Sequence, residues 1–114
     1  MKRGTIVLTP FPFTDLKTVK RRPALIVSND DLKTNDVIVA FISSQTSSFY
    51  PQTDFIFEET DSYFKNCGLK VTSVFKMNKL LTIEKKLLTG ELGSVSIDVM
   101  KTLDEKLKFS LDIE

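Results

Sequence analysis

Short apolar segments separated by polar turns dominate the first two thirds of the chain. Thr5–Phe11 is apolar and β-branched and runs into a pair of prolines, which predicts a first strand. Two further apolar runs, at about 23–28 and 36–43, predict buried strands separated by the turn-forming residues 28–31 (SNDD). Because Pro23 has no backbone N–H to donate, we place it at the start of the second strand.

Two more strands and one helix follow from the later pattern. Residues 53–58 alternate polar and apolar, which predicts a half-exposed fourth strand. Residues 71–77 predict a fifth strand, with a possible extension to Leu81. Beyond Gly90 and Gly93 the period becomes helical, with Ser94 or Ser96 as the cap and one apolar stripe formed by Ile97, Met100, Leu103, Leu107 and Leu111.

These elements predict a mainly β protein: five or more short strands in a curved sheet or small barrel, closed by a C-terminal helix. A length of 114 residues predicts one domain, residues 1–114. No apolar run approaches the roughly 18 residues that span a membrane. A single cysteine excludes an internal disulfide, so we expect a cytoplasmic protein without a membrane partner.

The missing residue types restrict the chemistry. The chain has no histidine, which excludes catalysis by a Ser-His-Asp or Cys-His arrangement, and histidine-based zinc sites. Basic residues are unevenly distributed: 1–22 and 65–86 each contain six basic groups against one acidic group, although the net charge is +1. The two segments form either a basic patch for an acidic partner or a scatter of solvated lysines.

Two strand ends carry the most informative polar residues. Arg21 and Arg22 precede the second strand, and Ser43, Ser44 and Gln45 end the third. An arginine fork and hydroxyl groups presented together by a rigid sheet are suited to holding a phosphate. Nucleic acid is therefore the first substrate class to consider.

The same segments carry a resemblance to a known family. The segments 3–8 (RGTIVL), 10–15 (PFPFTD), 20–28 (KRRPALIVS) and 39–45 (VAFISSQ) resemble the MazF/PemK family of toxins. Gly68-Leu69, the later 81–84 (LTIE) and the leucine-spaced helix match as well, so the resemblance covers essentially the whole chain in a consistent order.

That resemblance implies an SH3-like β-barrel with a C-terminal helix, assembled as a homodimer. It implies a ribosome-independent, sequence-selective endoribonuclease that cleaves single-stranded RNA, chiefly mRNA. The substrate's own 2′-hydroxyl attacks the adjacent phosphate and leaves a 2′,3′-cyclic phosphate and a 5′-hydroxyl, with no metal or cofactor. The implied protein partner is a cognate antitoxin whose acidic tail occupies the RNA groove.

Carried over to this sequence, the resemblance makes Arg22 and Ser43 the catalytic residues. Arg22 matches the arginine before proline and would clamp the phosphate; the alternative is a surface arginine paired with a carboxylate. Ser43 matches a hydroxyl that orients the phosphate or the 2′-hydroxyl; the alternative is an ordinary strand-end serine. Arg21, Ser44 and Gln45 are expected RNA contacts, unless they are solvated or form the turn.

Several matching positions depart from the family pattern. Some relatives carry an arginine and a carboxylate on the fifth strand, where this chain has Lys76 and Asn78. Lysine binds a phosphate only as a point charge, and asparagine is no base. Thr5 stands where many relatives have an acidic residue. Asp15 is a possible substitute base or RNA contact, or simply a residue that stabilises a turn.

Phe49 and Tyr50 lie in a polar loop and are expected either to stack on splayed RNA bases or to pack the loop onto the barrel. Two other functions stay open. One is a catalytically weak or inactive barrel that binds RNA or an antitoxin without cutting, which the departures at Lys76 and Asn78 suggest. The other is an SH3-like peptide-binding module.

Overall fold

The structure, a computed structural model, describes residues 1–10 and 21–114. It contains, in chain order, β1 (Thr5–Pro10), β2 (Arg21–Ile26), β3 (Asp36–Ser43), β4 (Asp54–Phe57), β5 (Ser73–Glu84), β6 (Glu91–Ser94) and α1 (Ile97–Leu111). Short 3₁₀ turns at Phe64–Asn66 and Lys85–Leu87 flank β5.

The described strands form one antiparallel sheet in the order β4-β5-β3-β2-β1-β6. The sheet curls into a half-barrel, with β4 and β6 as its two edges, and α1 packs against it. The predicted mainly β architecture with one C-terminal helix is therefore confirmed.

The third strand has the predicted bounds, whereas the second begins two residues early, at Arg21, and encloses Pro23. Pro23 lies opposite Leu8 of β1. The N–H and C=O of Leu8 bond to Gly90 and Thr89 on its other side, so Leu8 requires no donor from Pro23. The β2–β3 ladder begins only after Pro23, so proline is accommodated without losing a ladder hydrogen bond.

The fifth strand is longer than predicted and contains an irregularity. Its pairing with β3 jumps from Phe41↔Lys76 to Ala40↔Leu80, so residues 77–79 bulge out of the ladder. The sequence analysis missed β6 altogether, because Gly90 and Gly93 were interpreted as breaks. Strand β6 nevertheless pairs with β1 across an irregular register.

Two apolar clusters lie on opposite faces of the sheet, as alternation along β2 and β3 requires. The first cluster is covered by α1 through Val99 and Leu103 and includes sheet residues such as Ile6, Leu25, Ile42 and Phe75. The second consists of Val7, Ala24, Ile26, Val37, Val39 and Ile83.

The helix begins at the predicted cap: the hydroxyl of Ser96 accepts a hydrogen bond from the Val99 amide. Its buried stripe differs from the prediction. Val99 and Leu103 are buried, whereas Ile97 and Leu111, at the ends of the predicted stripe, are exposed. The prediction included Ile97 instead of Val99 because the predicted stripe and the observed stripe share Met100, Leu103 and Leu107.

An ion pair fastens the helix to the opposite end of the chain. The Arg3 guanidinium donates to both carboxylate oxygens of Asp104, at 2.6 and 3.2 Å, and its Nε donates to the Val27 carbonyl. The hydrogen bond to Asp104 is the main influence that raises the pKa of Arg3 above its ordinary value, so this side chain stays charged.

Close backbone contact between the segment before β5 and strand β6 depends on glycine. Gly68 has φ +76°, and a Cβ atom there would collide with the carbonyl group of Leu92. Gly93 approaches Asn66 and Cys67 as closely. Without side chains at these two positions, the 3₁₀ turn at Phe64–Asn66 can lie against β6.

We predict that Gly68→Ala lowers the free energy of unfolding by about 2 kcal/mol or more, because it adds both strain at positive φ and a backbone clash. Gly90→Ala is the matched control, since nothing lies within 4 Å of its added Cβ, and it should change stability by less than about 1 kcal/mol. Urea unfolding of both variants makes the comparison; equal values would contradict the close approach.

Candidate functional site

The strand register brings the predicted catalytic residues to one end of the sheet. Arg22 lies directly opposite Thr9 of β1, and it alternates onto the same face as Ala24. On the other side, Ala24 pairs with Phe41 of β3. Continuing that register by two residues places Ser43 level with Arg22 and on the same face.

One donor of Arg22 has no partner in the described part of the chain. Its Nε atom is buried and has no hydrogen-bond partner among residues 1–10 and 21–114, and the same holds for the buried Oγ1 atom of Thr9 opposite. A buried donor without a partner costs about 1–3 kcal/mol. Arg22 is therefore a candidate for binding an anion at this end of the sheet.

Arg22 borders a cavity of about 340 Å³. The walls are mostly apolar and come from Leu8, Pro23, Ile42, Leu69, Val71 and Leu92. The polar residues that line it are Arg22, Ser44, Lys70 and Ser73. Arg22 and Lys70 come from the two basic segments of the sequence, so both segments contribute to this cavity.

The three residues that end β3 have different surroundings. Ser43 is buried, and its hydroxyl oxygen accepts a hydrogen bond from the Gln45 amide at 3.0 Å. A serine hydroxyl that accepts in this way still has its own hydrogen to donate. Ser44 and Gln45 are exposed, and Ser44 lines the cavity beside Arg22.

Lys76 is not a free phosphate ligand in this structure. It is buried, and its Nζ donates to Asp54 Oδ2 at 2.7 Å and to the Ser48 carbonyl at 2.5 Å. We expected an RNA contact here from the resemblance, which indicates only the type of residue. The cross-strand pairing of Asp54 with Lys76 determines the partner of the lysine.

Asp54 was missed by the sequence analysis, which treated it as a polar position in an alternating strand. Its carboxylate is fully buried and accepts from Lys76, from the Tyr50 amide and from the Thr53 hydroxyl. Burial alone would raise the pKa of Asp54, but these hydrogen bonds outweigh it and lower the pKa below 3.8. A lone acidic residue opening a predicted strand was the only signal.

The predicted stacking residues sit on the loop that Lys76 and Asp54 hold. Tyr50 is 63% exposed and Phe49 37%. The Lys76 ammonium lies 5.8 Å from the centre of the Tyr50 ring. The loop therefore offers aromatic surface to solvent.

Other predicted site residues lie elsewhere. Thr5 is four residues along β1 from Thr9, about 13 Å away, and borders a different opening, near Glu91. Asn78 is exposed in the bulge of β5. Arg21 is exposed and donates to the Thr89 hydroxyl at 3.2 Å. The structure does not bring Thr5 together with Arg22.

Asp15, with the predicted turn around it, lies outside the described residues. Within residues 1–10 and 21–114, no three acidic or cysteine side chains converge as a metal-binding group.

The thiol of Cys67 is buried, which raises its pKa and keeps it in the unreactive protonated form. In the part of the chain that the structure describes, no helix has the length and apolar character to cross a membrane.

Comparisons with known proteins point to one family. The family model described as PemK-like, MazF-like toxin of type II toxin–antitoxin system matches residues 2–111. No curated protein sequence is similar enough to count as a relative.

Solved structures share the fold at low sequence identity. A mycobacterial endoribonuclease in complex with its cognate antitoxin superposes with a TM-score of 0.75 and 21% identity, over 98% of this chain and 95% of that one. The Mycobacterium tuberculosis toxin MazF-mt6 gives 0.74 and 20%, over 96% and 98%. MazF from Deinococcus radiodurans gives 0.74 and 20%, over 99% and 97%. These similarities establish the fold.

The lowered pKa of Asp54 predicts a specific acid sensitivity. The unfolded chain takes up a proton at Asp54 before the folded chain does, so this carboxylate stabilises the fold above about pH 4 and that contribution is lost as the pH falls further. We expect the free energy of unfolding to fall less steeply between about pH 4 and pH 2 in Asp54→Asn than in the parent. Asp31→Asn, which removes an exposed carboxylate, is the control and should keep the parent's slope; identical slopes in all three would contradict the prediction.

Proposed function

The chain belongs to the PemK-like, MazF-like toxins of type II toxin–antitoxin systems, and on that basis we propose that it is an endoribonuclease that cleaves single-stranded mRNA at preferred sequences, independently of the ribosome. The solved proteins that share its fold include endoribonucleases and MazF toxins. The observation that carries the proposal is the buried Nε of Arg22, which has no hydrogen-bond partner among the described residues and belongs to the sheet face that also carries Ser43.

Arg22 holds the scissile phosphate in this proposal. A planar guanidinium can donate to two phosphate oxygens at once, and its hydrogen bonds strengthen as negative charge builds on those oxygens in the transition state. Its backbone pairs with Thr9 of β1 and precedes Pro23, which fixes the base of the side chain. The cost of an unpaired donor in the free protein is recovered when the phosphate binds.

Ser43 orients the reacting groups. Its oxygen accepts from the Gln45 amide, so its hydrogen remains to donate to a phosphate oxygen or to the 2′-oxygen of the substrate. The 2′-oxygen forms a bond to phosphorus as the bond from phosphorus to the 5′-oxygen breaks. The products are a 2′,3′-cyclic phosphate and a 5′-hydroxyl.

Acceleration in this scheme comes from positioning and charge stabilisation, and no carboxylate among the site residues that the structure describes serves as the base. Thr5 and Asn78 have no ionisable carboxyl group, and Asp54 is engaged by Lys76. Water accepts the 2′-hydroxyl proton and returns one to the 5′-oxygen. We propose that the reaction requires no metal ion.

The proposed biological setting follows from the family. A cognate antitoxin neutralises the toxin, as complexes of a mycobacterial endoribonuclease with its antitoxin and of MazE with MazF illustrate. Residues 1–114 act as one toxin domain, two copies form a homodimer, and the mRNA substrate places the activity in the cytoplasm.

A second candidate is a barrel that binds RNA or the antitoxin with little or no cutting. The observation in its favour is the engagement of Lys76 by Asp54, together with an amide at Asn78, where some relatives place an arginine and a carboxylate. The two candidates differ in a single readout, since both bind RNA and only the first fragments it.

Replacing the clamp tests the enzyme directly. Arg22→Ala should lower the rate of cleavage of a long single-stranded RNA in excess EDTA by a factor of about 100 or more, because it removes the charge that stabilises the transition state. Arg21→Ala, its exposed neighbour, is the matched control and should cost less than about tenfold. Equal rates for Arg22→Ala and the parent would remove Arg22 from the site, and intact RNA with the folded parent would favour the second candidate.

The hydroxyl of Ser43 is tested in the same assay. Ser43→Ala should slow cleavage by about tenfold to 100-fold, because the substrate loses one orienting hydrogen bond. Ser62→Ala removes an exposed hydroxyl outside the proposed site and should leave the rate unchanged. A parental rate in Ser43→Ala would assign this serine a purely structural role at the end of β3.

A further inference from the structure

A buried polar network lies beneath the loop 44–53, between β3 and β4. Lys76 reaches from β5 to the Ser48 carbonyl and to Asp54. The same Asp54 oxygen, Oδ2, accepts from the Tyr50 amide at 3.0 Å. Two charged side chains therefore bind the loop backbone at two points, one on either side of Phe49.

The network is shielded from water and continues into the sheet. The side chains of Lys76 and Asp54 are 7% and 0% exposed. The Asp54 amide donates to the Tyr50 carbonyl at 2.8 Å, and the Met77 amide donates to the Thr53 carbonyl at 3.0 Å. Breaking one member leaves the other charge buried without a partner, which is far more costly than losing a surface ion pair.

The network holds the loop 44–53, which forms the polar and aromatic surface beside the proposed cleavage site. The loop starts with Ser44, which borders the same cavity as Arg22, and it carries the exposed ring of Tyr50. An aromatic ring stacks productively on a base only when its backbone is fixed, since ordering a free loop would consume part of the binding energy.

We propose that Lys76 and Asp54 are positioning residues that act as a pair: they fix the loop 44–53 in the shape in which it binds single-stranded RNA, and Lys76 does not contact a phosphate. This inference rests on the proposed function and deepens it, because it assigns RNA affinity to a buried ion pair that touches no substrate.

The two roles for Lys76 predict different effects of Asp54→Asn on RNA binding. If Lys76 bound a phosphate, removing the competing carboxylate in Asp54→Asn would keep or improve RNA binding. If the pair positions the loop, Asp54→Asn and Lys76→Met should weaken RNA binding alike. A lysine on a phosphate also releases about 0.7 of a counterion from a single strand, so its loss flattens the salt dependence of binding, whereas loss of a positioning residue does not.

The experiment measures KM and kcat for cleavage of a single-stranded RNA, and the Kd for the same strand carrying 2′-deoxyribose, which has no nucleophile. We expect Lys76→Met and Asp54→Asn each to raise KM and Kd about tenfold, with kcat within about twofold and an unchanged slope of log Kd against log salt. Lys76→Arg, which keeps the charge and can donate to both partners, should restore at least part of the affinity. Lys79→Met removes an exposed lysine from the same strand and is the control for charge alone.

Loss of stability is separated from loss of positioning by the double variant Lys76→Met/Asp54→Leu. Replacing a buried ion pair with apolar groups of similar volume often restores or increases stability. We expect a thermal midpoint close to the parent's while Kd stays raised about tenfold, since the Ser48 carbonyl and the Tyr50 amide have still lost their partners. A parental Kd in this variant would overturn the inference.

The remaining outcomes are distinct. One outcome is that Asp54→Asn binds RNA as well as the parent does, while Lys76→Met alone flattens the slope of log Kd against log salt. That outcome would make Lys76 a phosphate ligand and overturn the inference. A parent that binds the deoxy strand without cutting RNA would defeat the proposed function, yet the Kd comparison would still decide the role of the pair. A parent that binds neither strand would defeat both.

Discussion

Strand register is the constraint on which the site depends. Side chains alternate across a sheet with a period of two, so a slip of one residue between β2 and its neighbours would turn Arg22 away from the face that holds Thr9. The apolar residues of β2 prevent that slip, because Leu25 and Ile26 belong to clusters on opposite faces. Core packing thereby determines the face of the sheet on which the Arg22 guanidinium lies.

A second constraint acts on the neighbouring strands. The pairing of Asp54 with Lys76 places an acidic and a basic side chain on one face of β4 and β5, where they neutralise each other away from water. The same pair reaches the loop between β3 and β4 through two backbone groups. The lysine at a position where some relatives have an arginine thus has a carboxylate and a backbone carbonyl as its partners. The proposed site is therefore centred on Arg22 and the residues that end β3.

Much of the fold followed from local patterns, and the failures have physical causes. The bounds of β3 were predicted correctly because it is a continuous apolar run flanked by turn residues. Strand β6 was missed because two glycines hide its pattern, although one of them is needed for backbone contact with the preceding segment. The helix was found, but its buried stripe was displaced, since Val99 is buried whereas Ile97, on the opposite side of the helix, is exposed.

The candidate site shows the same difference between residues that a local pattern predicts and residues that only tertiary pairing reveals. Arg22 and the residues ending β3 could be proposed from the sequence because they belong to or adjoin strands whose positions the apolar pattern predicts. Asp54 was not found, because its importance comes from a partner 22 residues away that only tertiary pairing reveals. Thr5 was grouped with Arg22 by resemblance, yet it lies toward the opposite end of β1.

The central claim is that the RNA's own 2′-hydroxyl is the nucleophile and that Arg22 stabilises the phosphate it attacks. The most direct measurement is end-group analysis of the fragments released from a long single-stranded RNA by the purified protein in excess EDTA. The account predicts discrete fragments with 2′,3′-cyclic phosphate and 5′-hydroxyl ends, and no cleavage at a site where the preceding nucleotide is 2′-deoxy. Fragments with 5′-phosphate ends, or cleavage that persists at the deoxy position, would contradict it.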